Sequence, residues 1–205
     1  MTEHKIWDGT DWKNTNTIKK FNGSTWDTLK IYHWESPYSY SIPWGGSWTV
    51  NSLIYNTHPD GFETRASSAL SSGENFNCTN VFMSWFSQGG VRWMTSSTST
   101  GWVAIKMPSE VYLDSYYIYT HDDVPSRAPK NWTVQGSNDS TNGNDGTWVT
   151  IDTQTDIPEH TQTTINVNST KLYKWFRINI TANWGFSSGV SLMDFIPHVS
   201  SNGWV

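Results

Sequence analysis

The chain has 205 residues, which suffice for one full core and a small appendage but not for two large domains. A net charge of −5, with 13 Lys and Arg spread thinly, excludes the clustered basic face of a nucleic-acid binder. No stretch approaches the ~20 apolar residues of a membrane span, so membrane insertion is not expected. Scarce Ala and Leu beside abundant Thr, Ser, Asn and aromatic residues disfavour helix and predict an all-β protein.

The N-terminus, Met1 to Lys5, runs into polar sequence without the apolar core of a signal peptide. An internal repeat follows. Trp7-Asp8-Gly9 and Trp12 are echoed fourteen residues later by Phe21-Asn22-Gly23 and Trp26. Asp-Gly or Asn-Gly between strand-like residues is a strong hairpin signal, so each copy predicts a small β-hairpin. Hairpins of this size are marginal alone and must pack on a neighbour, on the larger domain or on other subunits. Trp7, Trp12, Phe21 and Trp26 are the candidate attachment and oligomerisation residues. The repeat resembles the aromatic-D/N-G-x-x-W modules of bacteriophage tail-fibre and other virion-attached proteins. That resemblance implies a module spanning residues 1–32, virion proteins as partners and a homo-oligomer, with a trimer favoured. Pro37, Pro43 and Gly45-Gly46 predict a linker over residues 33–47.

Downstream, strand-like runs occur at Trp102–Lys106, Val111–Thr120, Asn131–Gly136, Trp148–Thr153, Thr163–Val167, Tyr173–Ile180 and Val190–Ile196. Phe176, Ile178 and Ile180 share one face of their strand, while Trp132 and Val134 share one face of theirs. The segment Ser137 to Gly146 between two of the runs is almost pure turn-former. Short strands separated by turn clusters, with no helical window, describe a sandwich.

Several of these residues carry a family resemblance. Arg127-Ala128-Pro129-Lys130-Asn131-Trp132 through Gly136-Ser137-Asn138-Asp139, then Gly146-Thr147-Trp148, resembles the R-x-P-K-x-W-x-x-x-G-S-N-D-G core of discoidin (F5/8 type C, galactose-binding-like) domains. Tyr173 to Ile180 and Gly101 to Ile105 resemble two further strands of that family. The resemblance implies an antiparallel discoidin-like β-sandwich (jelly roll) over residues 48–199, with residues 200–205 as a tail. It also implies a domain that binds, sugars above all.

Sugar recognition needs an aromatic face for a pyranose ring and a few polar groups for its hydroxyls. His121, Asp122, Asp123 and Arg127 lie between two predicted strands, and Asn183-Trp184-Gly185-Phe186 precedes the last one. Galactose-binding relatives place a His, an Arg, an Asn and an aromatic residue on such loops. His121, Arg127, Asn183, Trp184 and Phe186 are therefore the candidate carbohydrate-binding residues.

No catalytic residues emerge. The six His are scattered, none at zinc-ligand spacing, and adjacent Asp122 and Asp123 do not make a glycosidase pair. The lone Cys78 excludes an intrachain disulfide and reads as a small packed thiol. Asn138, Asp139, Asn142, Asn144 and Asp145 resemble a calcium loop superficially, but Val149 stands where an EF-hand needs its last carboxylate. Discoidin-like domains frequently hold a structural Ca²⁺ through a D-G-x-x-x-T-x-W loop and an acidic residue in the final strand. Here Met83 to Trp93 lacks that Asp, although Asp194 stands in the final strand, so no cofactor is expected, with a structural Ca²⁺ as the alternative.

These features predict a noncatalytic bacteriophage protein, made in the host cytoplasm and carried on the virion, that recognises a host-surface glycan. A purely structural capsid or tail decoration protein and a bacterial carbohydrate-binding module remain the alternatives.

Overall fold

The computed structural model describes the backbone of residues 5–7, 12–14, 18–21 and 26–29, and residues 48–70, 76–83, 91–120 and 124–200 in full. The chain divides into two compact units, Met1–Pro37 with Asn202–Val205, and Tyr38–Ser201. The expected linker and C-terminal tail lie largely outside the described residues.

In the first unit, β1 (Lys5–Trp7) pairs antiparallel with β2 (Trp12–Asn14), and β3 (Ile18–Phe21) with β4 (Trp26–Leu29). Trp7 stands opposite Trp12 and Phe21 opposite Trp26, so both copies of the repeat use the same register. Two-stranded ribbons of this length are marginal in water without something to pack against.

The second unit opens with three short strands, β5 (Thr49–Ser52), β6 (Tyr55–Thr57) and β7 (Glu63–Ala66). After β8 (Trp93–Met94) comes β9, which runs unbroken from Gly101 to Tyr119. Then follow β10 (Pro129–Ser137), β11 (Val149–Gln154), β12 (Gln162–Asn166), β13 (Tyr173–Asn183), β14 (Ser191–Leu192) and β15 (Asp194–Ser200). All recorded pairings are antiparallel.

One layer has the order β11-β10-β13-β9-β7-β6-β5. The N-terminal half of β9 pairs with β13 and β7, whereas its C-terminal half pairs with β12 and β15 and so builds the second layer. The sequence predicts two strands here; the structure has one strand that changes layers around Pro108–Glu110. The burial pattern also slips. Val103, Ile105, Met107, Val111 and Leu113 face the core, then Tyr116 and Ile118 do. The pairing with β15 skips Asp114, and this one-residue bulge moves every later side chain to the other face.

Val103, Ile105, Trp132, Val134, Phe176, Ile178 and Ile180 meet Leu113, Tyr116, Ile118, Phe195 and Val199 in one core. The alternation expected for Trp132, Val134, Phe176, Ile178 and Ile180 therefore holds. Gly136 is required by packing: a Cβ there would stand 2.4 Å from the Tyr173 ring. A polar chain also crosses the interior. Trp132 Nε1 donates to the Tyr116 hydroxyl at 3.1 Å, which donates to Asp152 Oδ2 at 2.6 Å. Burial and the neighbouring carboxylate push the Tyr116 phenol far above its ordinary pKa, so it remains a donor. The expected strand Val190–Ile196 is divided, its first part pairing with β8 and its second with β9.

Ile178 is fully buried between the layers, so Ile178→Ala should cost about 2–4 kcal/mol through the cavity it leaves. Chemical denaturation measures this directly; a change below about 0.5 kcal/mol, typical of a surface position, would contradict the packing.

Candidate functional site

The two segments singled out for sugar recognition meet at one end of the larger layer. Pro129 at the start of β10 pairs with Asn183 at the end of β13. The 3₁₀ turn Pro125–Arg127 before β10 thus faces the loop after β13, and Phe186 N donates to Ser126 O at 3.1 Å while Trp184 N donates to Ala128 O at 3.3 Å.

Asn183 is the keystone of that loop. Its Nδ2 donates to Phe186 O and Gly189 O, each at 2.8 Å, and its Oδ1 accepts from Gly185 N at 3.0 Å. The sequence casts Asn183 as a ligand residue; in the structure its amide protons hold the loop. Both aromatic rings are half-buried and each carries a cation. The Arg127 guanidinium lies 4.6 Å from the Phe186 ring centre and Lys130 Nζ 4.8 Å from that of Trp184. Trp184 Nε1 donates to Ile157 O at 2.9 Å, and Lys130 pairs with Asp156 at 3.0 Å. Arg127 Nε is buried without an acceptor among the described residues. His121, Asp122 and Asp123 lie outside the described residues. The structure therefore brings Arg127, Asn183, Trp184 and Phe186 together. It adds Lys130, which sequence reading missed although it stands inside the R-x-P-K motif.

The polar Ser137–Gly146 segment is committed to itself. Asp139 Oδ1 accepts from Thr147 N at 2.7 Å and Ser137 Oγ at 2.9 Å, with the Thr147 bond chiefly lowering its pKa. Asp145 accepts from Thr141, Ser140 and Asn142, and the Thr141 hydroxyl leads in drawing its pKa down to about 2. Cys78 is fully buried, and desolvation pushes its thiol up to about 11, the opposite of an activated nucleophile.

Residues fitting the family's calcium are few. Asp194 is buried with Oδ1 unpartnered, but it supplies one carboxylate where a hard cation needs several oxygens. Among the described residues no group of three His, Cys, Asp or Glu could hold a metal. Residues 84–90 of the expected calcium loop lie outside the described residues.

Residues 87–176 match the family model described as NedA-like, galactose-binding domain. Solved structures of similar shape include chitosan-binding module 1 of a Paenibacillus chitosanase/glucanase, at 22% identity and TM-score 0.52 over 67% of this chain and 93% of that one. An F5/8 type C domain from Bacteroides fragilis aligns at 10% identity and TM-score 0.53 over 77% of this chain and 100% of its own. The domain is a discoidin-like β-sandwich. A Ruminococcus gnavus fucosidase, in complex with fucose, contains a similar shape at 14% identity and TM-score 0.53, over 70% of this chain and 26% of the enzyme. No curated protein matches the chain.

Burial pushes the Asp194 carboxyl up to about 7, whereas an unfolded Asp titrates near about 4. Between those values the folded state holds a proton that the unfolded chain has released, so the stability contributed by Asp194 falls as pH rises from about 4 to 7. Asp194→Asn should flatten that decline. Thermal midpoints of both proteins across this range check it; identical pH slopes would remove Asp194 as the cause.

Proposed function

We propose that the chain is a noncatalytic glycan-binding protein whose sugar site is the sandwich end formed by Arg127, Lys130, Trp184 and Phe186, with His121 from the preceding segment. The observation that carries this reading is the paired arrangement of two half-buried rings, each with a cation against it, on a loop locked by Asn183. A cation on one face fixes each ring and leaves the opposite face to stack on a pyranose, while guanidinium and ammonium donors reach hydroxyls. The galactose-binding description of the matching family supports a hexose as ligand.

We further propose that the N-terminal hairpins attach this domain to a bacteriophage particle, where the virion is its location and other virion proteins and copies of itself, as a trimer, are its partners. The host-surface glycan is then the target. Support comes from the repeat itself, since two ribbons of this size need a neighbour to be stable. A second reading, a bacterial carbohydrate-binding module attached to a glycan-degrading enzyme, is favoured by the likeness to the chitosan-binding module.

Shallow sugar sites rest on few contacts, so single-site affinity should be about 0.1–1 mM, and avidity from several copies would make it useful. In an NMR titration with galactose and a panel of host-surface sugars, the Trp184 indole and the Arg127 and Phe186 amides should shift. Trp184→Ala and Phe186→Ala should each weaken binding at least ~10-fold, equivalent to about 1.4 kcal/mol. Shifts confined elsewhere would move the site, and none with any sugar would favour a purely structural decoration protein.

Deleting residues 1–32 should leave the sandwich folded, with an unchanged sugar titration, but monomeric in sedimentation. A truncated protein that keeps the oligomer of the full chain would take assembly away from the hairpins.

A further inference from the structure

The outer face of the larger layer carries a row of directly paired residues: Tyr55 on β6, Arg65 on β7, Ala104 on β9, Arg177 on β13 and Gln135 on β10. Ala104 is the small member of that row, and the loop between β10 and β11 docks on it. A Cβ on Gly143 would come within 3.0 Å of the Arg65 Cβ and 3.4 Å of the Ala104 Cβ, and its φ of +80° is one that glycine adopts without strain. The docked loop becomes a wall. Between it and β5–β7 lies a groove of about 590 Å³ lined by Tyr55, Arg65, Ser67, Trp102, Asn142 and Asn144, among others.

The wall is rigid before any ligand arrives. Asn142 Oδ1 accepts from Asn144 N at 2.9 Å and Asp145 N at 3.1 Å, and the Asp145 carboxylate accepts from Thr141 N at 2.7 Å and Ser140 Oγ at 3.0 Å. Asp145 thus spends its charge inside the loop. The Arg65 Cζ lies over the Tyr55 ring, 3.3 Å from its centre, and the buried Arg65 Nε has no acceptor among the described residues. Its Nη2 stands 3.5 Å from Glu63, but Glu63 is also bonded by Lys106. Arg177 is held between Trp148, at 4.0 Å, and Trp102, at 6.0 Å. Partial burial lowers its pKa to about 10, so it keeps its charge at neutral pH. Arg65 is the one charged side chain among the residues lining the groove, and the carboxylate beside it, Glu63, is shared with Lys106.

We propose that this groove is a second saccharide site, specific for a sugar chain bearing carboxylates, in which a uronic acid ring stacks on Trp102, its carboxylate meets Arg65, and its hydroxyls take the side-chain amides of Asn142 and Asn144. An aromatic floor, an arginine short of an acceptor and two exposed amides on a rigid wall are the groups that such a ligand needs. The groove is separate from the sandwich-end site: Asn183 lies six residues along β13 from Arg177, roughly 20 Å of extended strand. It deepens the reading of the chain as a glycan binder, because a face site for a charged sugar beside an end site for a hexose would let one domain hold a mixed polysaccharide.

The test is an NMR titration and calorimetry of the full chain with a galacturonic acid tetrasaccharide and with the uncharged galactose tetrasaccharide. The uronate should shift the Trp102 indole and the Asn144 amide and bind at least ~10-fold tighter at these positions than the neutral chain. Trp102→Ala should lose ~10-fold or more, and Arg65→Met should abolish the preference for charge. Asn144→Trp, on the exposed rim of the loop, should block the groove without touching the interior, so it reads the site even if the other variants unfold. Trp184 reports the sandwich end separately, and its response neither supports nor replaces that of Trp102. No shift at Trp102 and Asn144, equal affinity for the uncharged chain, or undiminished uronate binding in Asn144→Trp would overturn the proposal.

Discussion

Because β9 leaves one layer and enters the other, the registers of β7, β13, β12 and β15 are all set against a single backbone. A slip at its bend would invert a whole layer, since a one-residue shift exchanges the inner and outer faces. The molecule fixes this point from several directions. Asp114 O at the bulge accepts from Val167 N and Asn168 N, and Asp114 Oδ1 accepts from Ser200 Oγ, while the Trp132–Tyr116–Asp152 chain ties the two layers through their interior. With β9 placed, Trp102 and Ala104 necessarily face outward and Val103 and Ile105 inward, so the position of the groove follows from the same register as the core.

The motif residues that carry the family resemblance turn out to build architecture more than chemistry. Gly136 makes room for Tyr173, and Ser137 and Asp139 close the turn. Asn138 bridges to Leu172 O and Lys174 N, at 3.0 and 2.8 Å. Such groups are costly to leave unpaired, which explains why a loop of almost pure turn-formers holds a definite shape. That shape is what seats Gly143 on Ala104 and raises the wall of the groove. The R-x-P-K segment is different: Arg127 and Lys130 place their charges on rings of another loop, so it joins a structural role to the candidate site.

Much of the sandwich was legible because β10 and β13 alternate cleanly, with Trp132, Val134, Phe176, Ile178 and Ile180 on one face. The missed parts have physical reasons. Thr49–Ser52 is exposed along its length and shows no apolar period, so β5 resembles a loop in sequence. The bulge at Asp114 breaks the period within β9, and Pro108 suggests a strand end where the chain only bends. In the candidate site the sequence points to Arg127, Asn183, Trp184 and Phe186, which the fold places together, but not to the direction of their hydrogen bonds, since Asn183 looks the same in sequence whether it binds a ligand or its own loop. The Tyr55–Arg65 stack was invisible because it joins residues of two strands on an outward face that reads as ordinary solvated surface.

Cations against rings recur on the outer face and at the sandwich end, and they offer an account of how a Trp-rich protein keeps aromatic surface usable. Arg177 lies against Trp148 and Trp102, Lys130 against Trp184 and Arg127 against Phe186. Burying these rings fully would remove them from any ligand, and leaving them bare would expose apolar patches prone to association. A cation on one face avoids both outcomes. It adds roughly 0.5–1 kcal/mol of attraction at exposed positions, restricts the ring to one orientation and surrounds it with charge that water solvates. A ring already fixed would lose little further freedom if a ligand stacked on it, because most of the ordering has occurred during folding.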